Sequence, residues 1–301
     1  MSTPRRLLVT GATGKQGGAL ISALVSNQSQ PFEIYAVTRN KNSKSAQALA
    51  NQPNVQVIQG DFDNPDEIFQ QIDQPWGLFA MTTPMNAKTE ERQGKAMTAA
   101  ALKARVQHIV FTATDRGGDS KSDETPTCVS HFKSKFNIEQ DIMERTRKQG
   151  ATWTFLRPVA FMENMSNDFI GRGFVAMWRL NGLERPLQFI SSRDIGKVAA
   201  DAFMQAESPE YRNQSLSLVG DSVSPAEAAK VFQSETGLEL PRSYDFVGRL
   251  IRWGLREQLG VMFDWFETDG FGADLEANRE RFPFMMDFRT WVREESAWKK
   301  T

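Results

Sequence analysis

The chain has 301 residues, 40% hydrophobic and 24% charged, and its 36 Lys plus Arg nearly balance 37 Asp plus Glu, for a net charge of -1. That composition suits one large globular domain or two smaller ones, and it offers no basic excess to nucleic acid or to an anionic membrane. One cysteine (Cys128) and two histidines (His108, His131) exclude a disulfide scaffold and a Cys/His metal site, so no metal is expected.

The opening residues MSTPRRLLVTGATG contain no apolar signal core, and no run of 18 apolar residues follows. A reducing cytoplasmic compartment is expected, with the nucleus also open to the protein. Arg5 to Thr10 reads as a strand, and Gly17 to Asn27 as a helix with Leu20, Ile21, Leu24 and Val25 on one face. Glu33 to Thr38 is a second strand, and Ser43 to Ala50 a helix capped by Ser43. Val55 to Ile58 is a third strand. Pro65 to Ile72 is helical, with Asn64 as its cap. Trp76 to Met81, the helix Ala87 to Arg105, and the strand His108 to Thr112 continue the alternation. The helix His131 to Gln149 and the strand Thr152 to Leu156 complete it. Parallel strands with right-handed helical crossovers make a doubly wound α/β sheet of Rossmann type.

Two segments break this rhythm. Ala113 to Ser130 is polar and rich in Gly, Ser and Asp, so it reads as a functional lid or a mobile insertion. Beyond Arg157 the pattern is less regular, with short strands (Leu187 to Ile190, Ser215 to Val219) and helices (Arg193 to Gln205, Ser224 to Thr236). The expected division is a nucleotide-binding domain over 1–157 and a smaller C-terminal α+β lobe over 158–301, interleaved along the chain.

The first strand runs into Gly11-Ala12-Thr13-Gly14-Lys15-Gln16-Gly17-Gly18, a GxxGxxG turn between strand and helix. Gly11 permits the tight turn, Gly14 lets a pyrophosphate approach the backbone, and Gly17 lets the helix pack closely. The helix N-terminus then aims amide donors at the phosphates. The second strand ends in Thr38-Arg39-Asn40-Lys41, where NAD sites carry a carboxylate. Two cations there, with Lys15, favour the 2′-phosphate of NADP(H). Asp61 and Phe62 are expected to flank the adenine. Met81, Thr82, Thr83 and Pro84 are expected to line the ribose and nicotinamide side.

The ordered series GATGKQGG, AVTRN, GDFDNPDEI, HFKSKFNIEQ and RPVAFMEN resembles the NmrA-like family of atypical short-chain dehydrogenases/reductases over about residues 5–300. The resemblance implies a Rossmann domain binding NADP(H) and a small C-terminal domain. It implies one of two roles: a redox sensor with a protein partner, or an oxidoreductase of the kind found in fungal biosynthesis. It also places the nucleotide against the GxxGxxG residues, Arg39, Asp61, the Thr82-Thr83-Pro84 stretch, Lys135 and Pro158, Val159, Ala160 and Phe161.

Ordinary members of the wider superfamily use Tyr-x-x-x-Lys, in which Lys lowers the pKa of a proton-donating Tyr. Here the helix reads His131-Phe132-Lys133-Ser134-Lys135, with Lys135 at the Lys position and His131 at the Tyr position. The three tyrosines, Tyr35, Tyr211 and Tyr244, lie elsewhere. Three readings stay open: His131 donates the proton, Lys135 does so itself, or nucleotide binds without turnover. Thr112 and Thr114 stand near the carbonyl-orienting Ser position, with a structural role as the alternative. Pro158 bends the chain so that backbone groups from Val159 onward can meet a carboxamide, with Glu163 and Asn164 anchoring the bend. Of 31 aromatic residues, twelve fall between Tyr244 and Trp298. They read as core anchors, as an apolar substrate pocket, or as a partner surface.

Overall fold

The computed structural model describes residues 4–27, 32–83 and 86–298. Its contacts divide the chain into two units, and neither is continuous. Unit 1 comprises Met1–Ala113, Ser134–Arg157 and Ile195–Leu216; unit 2 comprises Thr114–Lys133, Pro158–Asp194 and Ser217–Thr301. Thr114–Lys133 belongs to the second unit and Ile195–Leu216 to the first, so the two interleave along the chain.

The main sheet is built from β1 (Arg5–Val9), β2 (Phe32–Thr38), β3 (Val55–Gln59), β4 (Gly77–Ala80), β5 (His108–Thr112), β6 (Thr152–Pro158) and β9 (Gln214–Leu218). Its order is β3-β2-β1-β4-β5-β6-β9, and the first five pairings are parallel. Buried Leu8, Val37, Leu78, Ile109, Phe111 and Phe155 explain why these runs pair inside the unit rather than at an edge. Around them lie α1 (Lys15–Ser26), α2 (Lys44–Ala50), α3 (Pro65–Phe69), α4 (Ala87–Lys103), α6 (Ser130–Gln149) and α8 (Ser192–Met204). Ser43 caps α2 as its sequence predicts, accepting from the Ala46 amide at 3.2 Å. Asn64 precedes α3 without a side-chain capping bond.

Glycines set two close approaches in unit 1. A Cβ on Gly196 would lie 2.5 Å from Ala19 Cβ, so α8 can press on α1 only without one. A Cβ on Gly94 would lie 2.5 Å from Ile138 Cδ1, which brings α4 against α6. At the end of β6, Arg157 forks onto Glu139 at 2.9 and 3.1 Å, both side chains being almost wholly buried. Such a pair resists loss of either partner, because the other charge would remain buried.

Unit 2 holds a three-stranded sheet in the order β10-β8-β7, from β7 (Ala160–Phe161), β8 (Leu187–Ile190) and β10 (Asp221–Val223). Its helices are α5 (Asp119–Glu124), α7 (Phe169–Arg179), α9 (Pro225–Thr236), α10 (Asp245–Gly254), α11 (Val261–Thr268), α12 (Leu275–Arg281) and α13 (Phe288–Glu294). The helix α9 carries a reciprocal Ser224/Glu227 capping box and ends at Gly237 in the left-handed conformation, as its residues dictate. The core joins Phe174, Trp178 and Phe189 to Phe263, Trp265, Phe266, Phe288 and Trp291.

The polar segment 113–130 contains α5 and a buried frame. Asp115, fully buried, accepts from the amides of Gly117, Gly118 and Gly272 and from the Ser217 hydroxyl. Arg116, also fully buried, donates to the carbonyl oxygens of Thr114, Ser122 and Thr125. Two buried charged side chains satisfy the backbone of this segment from within.

Candidate nucleotide site

The carboxyl ends of the parallel strands in unit 1 converge on one sheet edge, the usual ligand edge of an open α/β sheet. The turn after β1 is shaped by its glycines. Gly11 has φ +60°, and a Cβ there would overlap the Met81 sulfur. A Cβ on Gly17 would lie 2.5 Å from the Gly11 carbonyl oxygen, so only glycine lets α1 begin there. Gly14 is the N-cap of α1 in an extended conformation, with no capping side chain and no acidic residue in the first turn. Thr13, Gly14 and Lys15 are exposed, whereas Ala12, Gln16 and Gly17 are buried. The buried Gln16 Oε1 has no hydrogen-bond partner among the described residues. Open amide donors without a competing carboxylate fit a pyrophosphate.

Beyond β2, Arg39, Asn40 and Lys41 are all exposed. Asn40 builds the loop: its amide donates to Thr38 Oγ1 at 3.2 Å, and its Oδ1 accepts from the Asn42 amide at 3.0 Å. Arg39 and Lys41 make no ion pair among the described residues, so both cations stay available to an anion. Asp61, past β3, is exposed and accepts from the Asp63 amide at 2.9 Å. Phe62 is half-buried and packs toward the core beside β4. Met81 is pinned through its amide to Thr10 Oγ1 at 3.0 Å. Thr83 is exposed, and Pro84 lies outside the described residues.

Behind β4 lies a buried cluster. Lys135 on α6 reaches Glu90 Oε1 at 3.0 Å and donates to Thr82 Oγ1 at 3.0 Å. Thr82 donates to Glu90 Oε1 at 2.6 Å, and Ser134 to Glu90 Oε2 at 2.5 Å. Burial alone would raise the Glu90 carboxyl, but Lys135 and the Ser134 and Thr82 hydroxyls outweigh it and hold the group below the ordinary carboxylate range. Lys135 is thus an anchored cation, 5.8 Å from the Phe111 ring centre. Nothing in the sequence singled out Glu90. It lies one turn before Gly94, just as Ser134 lies one turn before Ile138, so the close approach of α4 and α6 also joins Glu90 to Ser134. The nearby Thr112 hydroxyl is buried and has no partner among the described residues.

Other expected site residues belong to unit 2. His131 occupies the first turn of α6, one turn before Lys135, and its ring meets the Phe132 edge at 4.7 Å between centres. Phe132 in turn contacts Trp265 and Phe271. Pro158 and Val159 are buried, and the Val159 amide already donates to the Leu218 carbonyl at 3.2 Å. Ala160 and Phe161 pair with Phe189 and Ile190 of β8. These bonds leave Val159 without a free amide for a carboxamide. Glu163 accepts from the Ser192 amide and hydroxyl at 2.9 and 2.6 Å, which anchors the segment to the start of α8. Thr114 donates to the Pro158 carbonyl at 3.4 Å, a structural bond. His108, in unit 1, bonds Thr152 at 2.8 Å and Thr154 at 3.3 Å; burial, then Arg5 and Arg212, push it down to about 3.

The strand order, the glycine turn and the helix behind it define a doubly wound dinucleotide-type α/β protein. The NmrA-like family matches residues 3–284, and the chain belongs to that family. A relative from Cladobotryum sp., the NmrA-like family domain-containing oxidoreductase FrzB, is 29% identical over 172 residues, covering 52% of this chain and 47% of that protein. The chain thus spans about half the length of the first curated relatives it matches. Among solved structures, the negative transcriptional regulator Nmra is similar in its NAD complex (18% identity, TM-score 0.73) and its NADP complex (19%, 0.71). Both alignments cover 98% of this chain and 96% of that one. The Citrobacter sp. triphenylmethane reductase, complexed with NADP(H), aligns at 20% identity and TM-score 0.73 over 96% of this chain and 99% of its own. No helix among the described residues is long and apolar enough to cross a membrane.

Proposed function

We propose that this chain binds NADP(H) along the strand ends of unit 1 and acts as a nucleotide-state sensor, with Lys135 as a fixed binding cation. The observation that carries this reading is the Lys135 ammonium, already shared between Glu90 Oε1 and Thr82 Oγ1, on a helix with no tyrosine one turn before it. A lysine fixed on a carboxylate and a hydroxyl is placed as a binding cation, and no tyrosine stands where the wider superfamily keeps its proton donor. The Gly11 to Gly17 turn would hold the pyrophosphate, Arg39 and Lys41 the 2′-phosphate, Asp61 the adenine, and Thr82, Thr83 and Lys135 the nicotinamide ribose. When bound, the nucleotide supplies hydride-transfer chemistry. The cytoplasm is the proposed compartment, and a protein is the proposed partner of the sensor.

A second reading, an NADPH-dependent reductase of a small apolar metabolite, is supported by the oxidoreductase and reductase names of the relatives and by the ring cluster of Phe132, Trp265 and Phe271. In that reading His131 donates the proton.

Calorimetric titration with NADP⁺ and NAD⁺ tests the cofactor. Arg39→Ala is expected to weaken NADP⁺ about tenfold, the loss of a charge-assisted contact worth ~1.5 kcal/mol, and to leave NAD⁺ within about twofold. An unchanged ratio of the two affinities removes Arg39 from the site. The role is tested by following NADPH absorbance with quinones, enones and aldehydes. No oxidation is expected; turnover that disappears in His131→Ala selects the reductase reading.

A further inference from the structure

The twelve late aromatics divide into two sets. Nine are buried or half-buried in unit 2, but Tyr244, Phe246 and Trp253 are exposed, Trp253 to 78%. They lie on or beside α10, together with exposed Leu250 and Leu255. The other face of α10 is the packed one: a Cβ on Gly248 would meet Ala176 Cβ at 3.2 Å, and one on Gly173 would meet Ile251 Cδ1 at 3.0 Å. The Ser243 amide donates to the Arg172 carbonyl at 3.0 Å, which sets Tyr244 beside the first turn of α7. Exposed Phe169 and Ile170 stand on that turn, Ile170 to 78%. Tyr244 and Phe246 stack with ring centres 5.8 Å apart. The result is one apolar surface across the two helices. At about 150–250 Å² per large ring, its bare area is on the order of 800 Å². The largest apolar patch on an ordinary monomer reaches only about 300–600 Å².

We propose that this surface is the interface of a two-fold homodimer of the chain, in which α10 packs antiparallel against α10 of a second copy. Two features select a second copy as the occupant. First, the area matches the ~800 Å² per partner of a standard stable interface. Second, the stripe is self-complementary, as an isologous contact requires. Exposed Phe246, Leu250 and Trp253 recur at helical spacing. An axis passing between Arg249 and Leu250 sets Phe246 of one copy against Trp253 of the other, twice over. The inference does not depend on the nucleotide reading.

Sedimentation velocity on the full chain over about 1–100 μM, with and without NADP⁺, tests it. The wild type is expected to be dimeric through most of that range. Trp253→Glu is expected to raise the dimer dissociation constant at least ~100-fold, with the far-UV circular dichroism unchanged, since the residue supports no core contact. Phe246→Glu is expected to weaken the dimer to a similar extent, because the axis sets each Phe246 against Trp253 of the other copy. A wild-type monomer at 100 μM overturns the proposal, as does a dimer that survives Trp253→Glu. A monomer that floats with vesicles of anionic lipid also overturns it, and assigns the face to a membrane surface instead.

Discussion

Two glycine-bearing turns lead into helices in this molecule, and they have opposite fates. In the turn after β1 the Gly14 amide bonds the Gly11 carbonyl oxygen at 2.9 Å, but no side chain caps α1 and no carboxylate enters its first turn. The turn after β5 holds Gly117 and Gly118 and leads into α5, but Asp115 already occupies its amides and Arg116 its carbonyl oxygens. The first has no side chain of its own on its donors. The second carries its own anion. Glycine content therefore does not mark a ligand site; whether the protein's own side chains have claimed the donors does.

Replacing the built-in anion breaks the contrast most severely. Asp115→Asn should destabilise the protein by about 3 kcal/mol, because one buried carboxylate acceptor becomes a donor facing amides. Chemical denaturation would read that loss, while NADP⁺ affinity of the folded protein should stay within about twofold. Equal damage to both would mean that the second turn also shapes the nucleotide site.

The complementary change is Gly17→Ala. Its methyl group would press on the Gly11 carbonyl and the Ala12 backbone. NADP⁺ affinity should fall about 100-fold, roughly 2.7 kcal/mol, with the unfolding midpoint also lowered. Full affinity in calorimetry would show that the cradle tolerates a wider turn than its geometry implies.

The smallest effect near neutrality concerns a residue outside both turns, and it checks that unit 1 responds as a whole. His108 is held neutral in the fold, at about 3 against an ordinary 6.5. Below pH 6.5 the unfolded chain takes up a proton that the folded chain refuses. Stability should therefore fall with decreasing pH, by about 1 kcal/mol per unit between pH 6 and 4. His108→Gln should flatten that limb in urea titrations, and an unchanged slope would assign the acid sensitivity to other groups.

Much of unit 1 was legible residue by residue. Alternating apolar runs and helical faces predict the parallel sheet, because parallel strands need a crossover and helices supply it. The GxxGxxG turn could be read because backbone freedom is a local property. Glu90 could not. In EERQGK it resembles any solvated helix residue, and its burial depends on Gly94 meeting Ile138 on a helix more than forty residues away. Asp115 was out of reach for the same reason, since its partners include Gly272 and Ser217.

The aromatic tail marks the same boundary. Its composition announced large apolar area. It could not say that Phe263, Trp265 and Trp291 would close a core while Tyr244, Phe246 and Trp253 would face outward. By itself, the sequence determined what is local: strand and helix periods, caps, the glycine turn, the cations after β2 and the missing tyrosine. Tertiary structure alone decided which charges are buried and paired, and which rings stay exposed. Burial is a property of the surface that arrives from distant parts of the chain, and no window of neighbouring residues contains it.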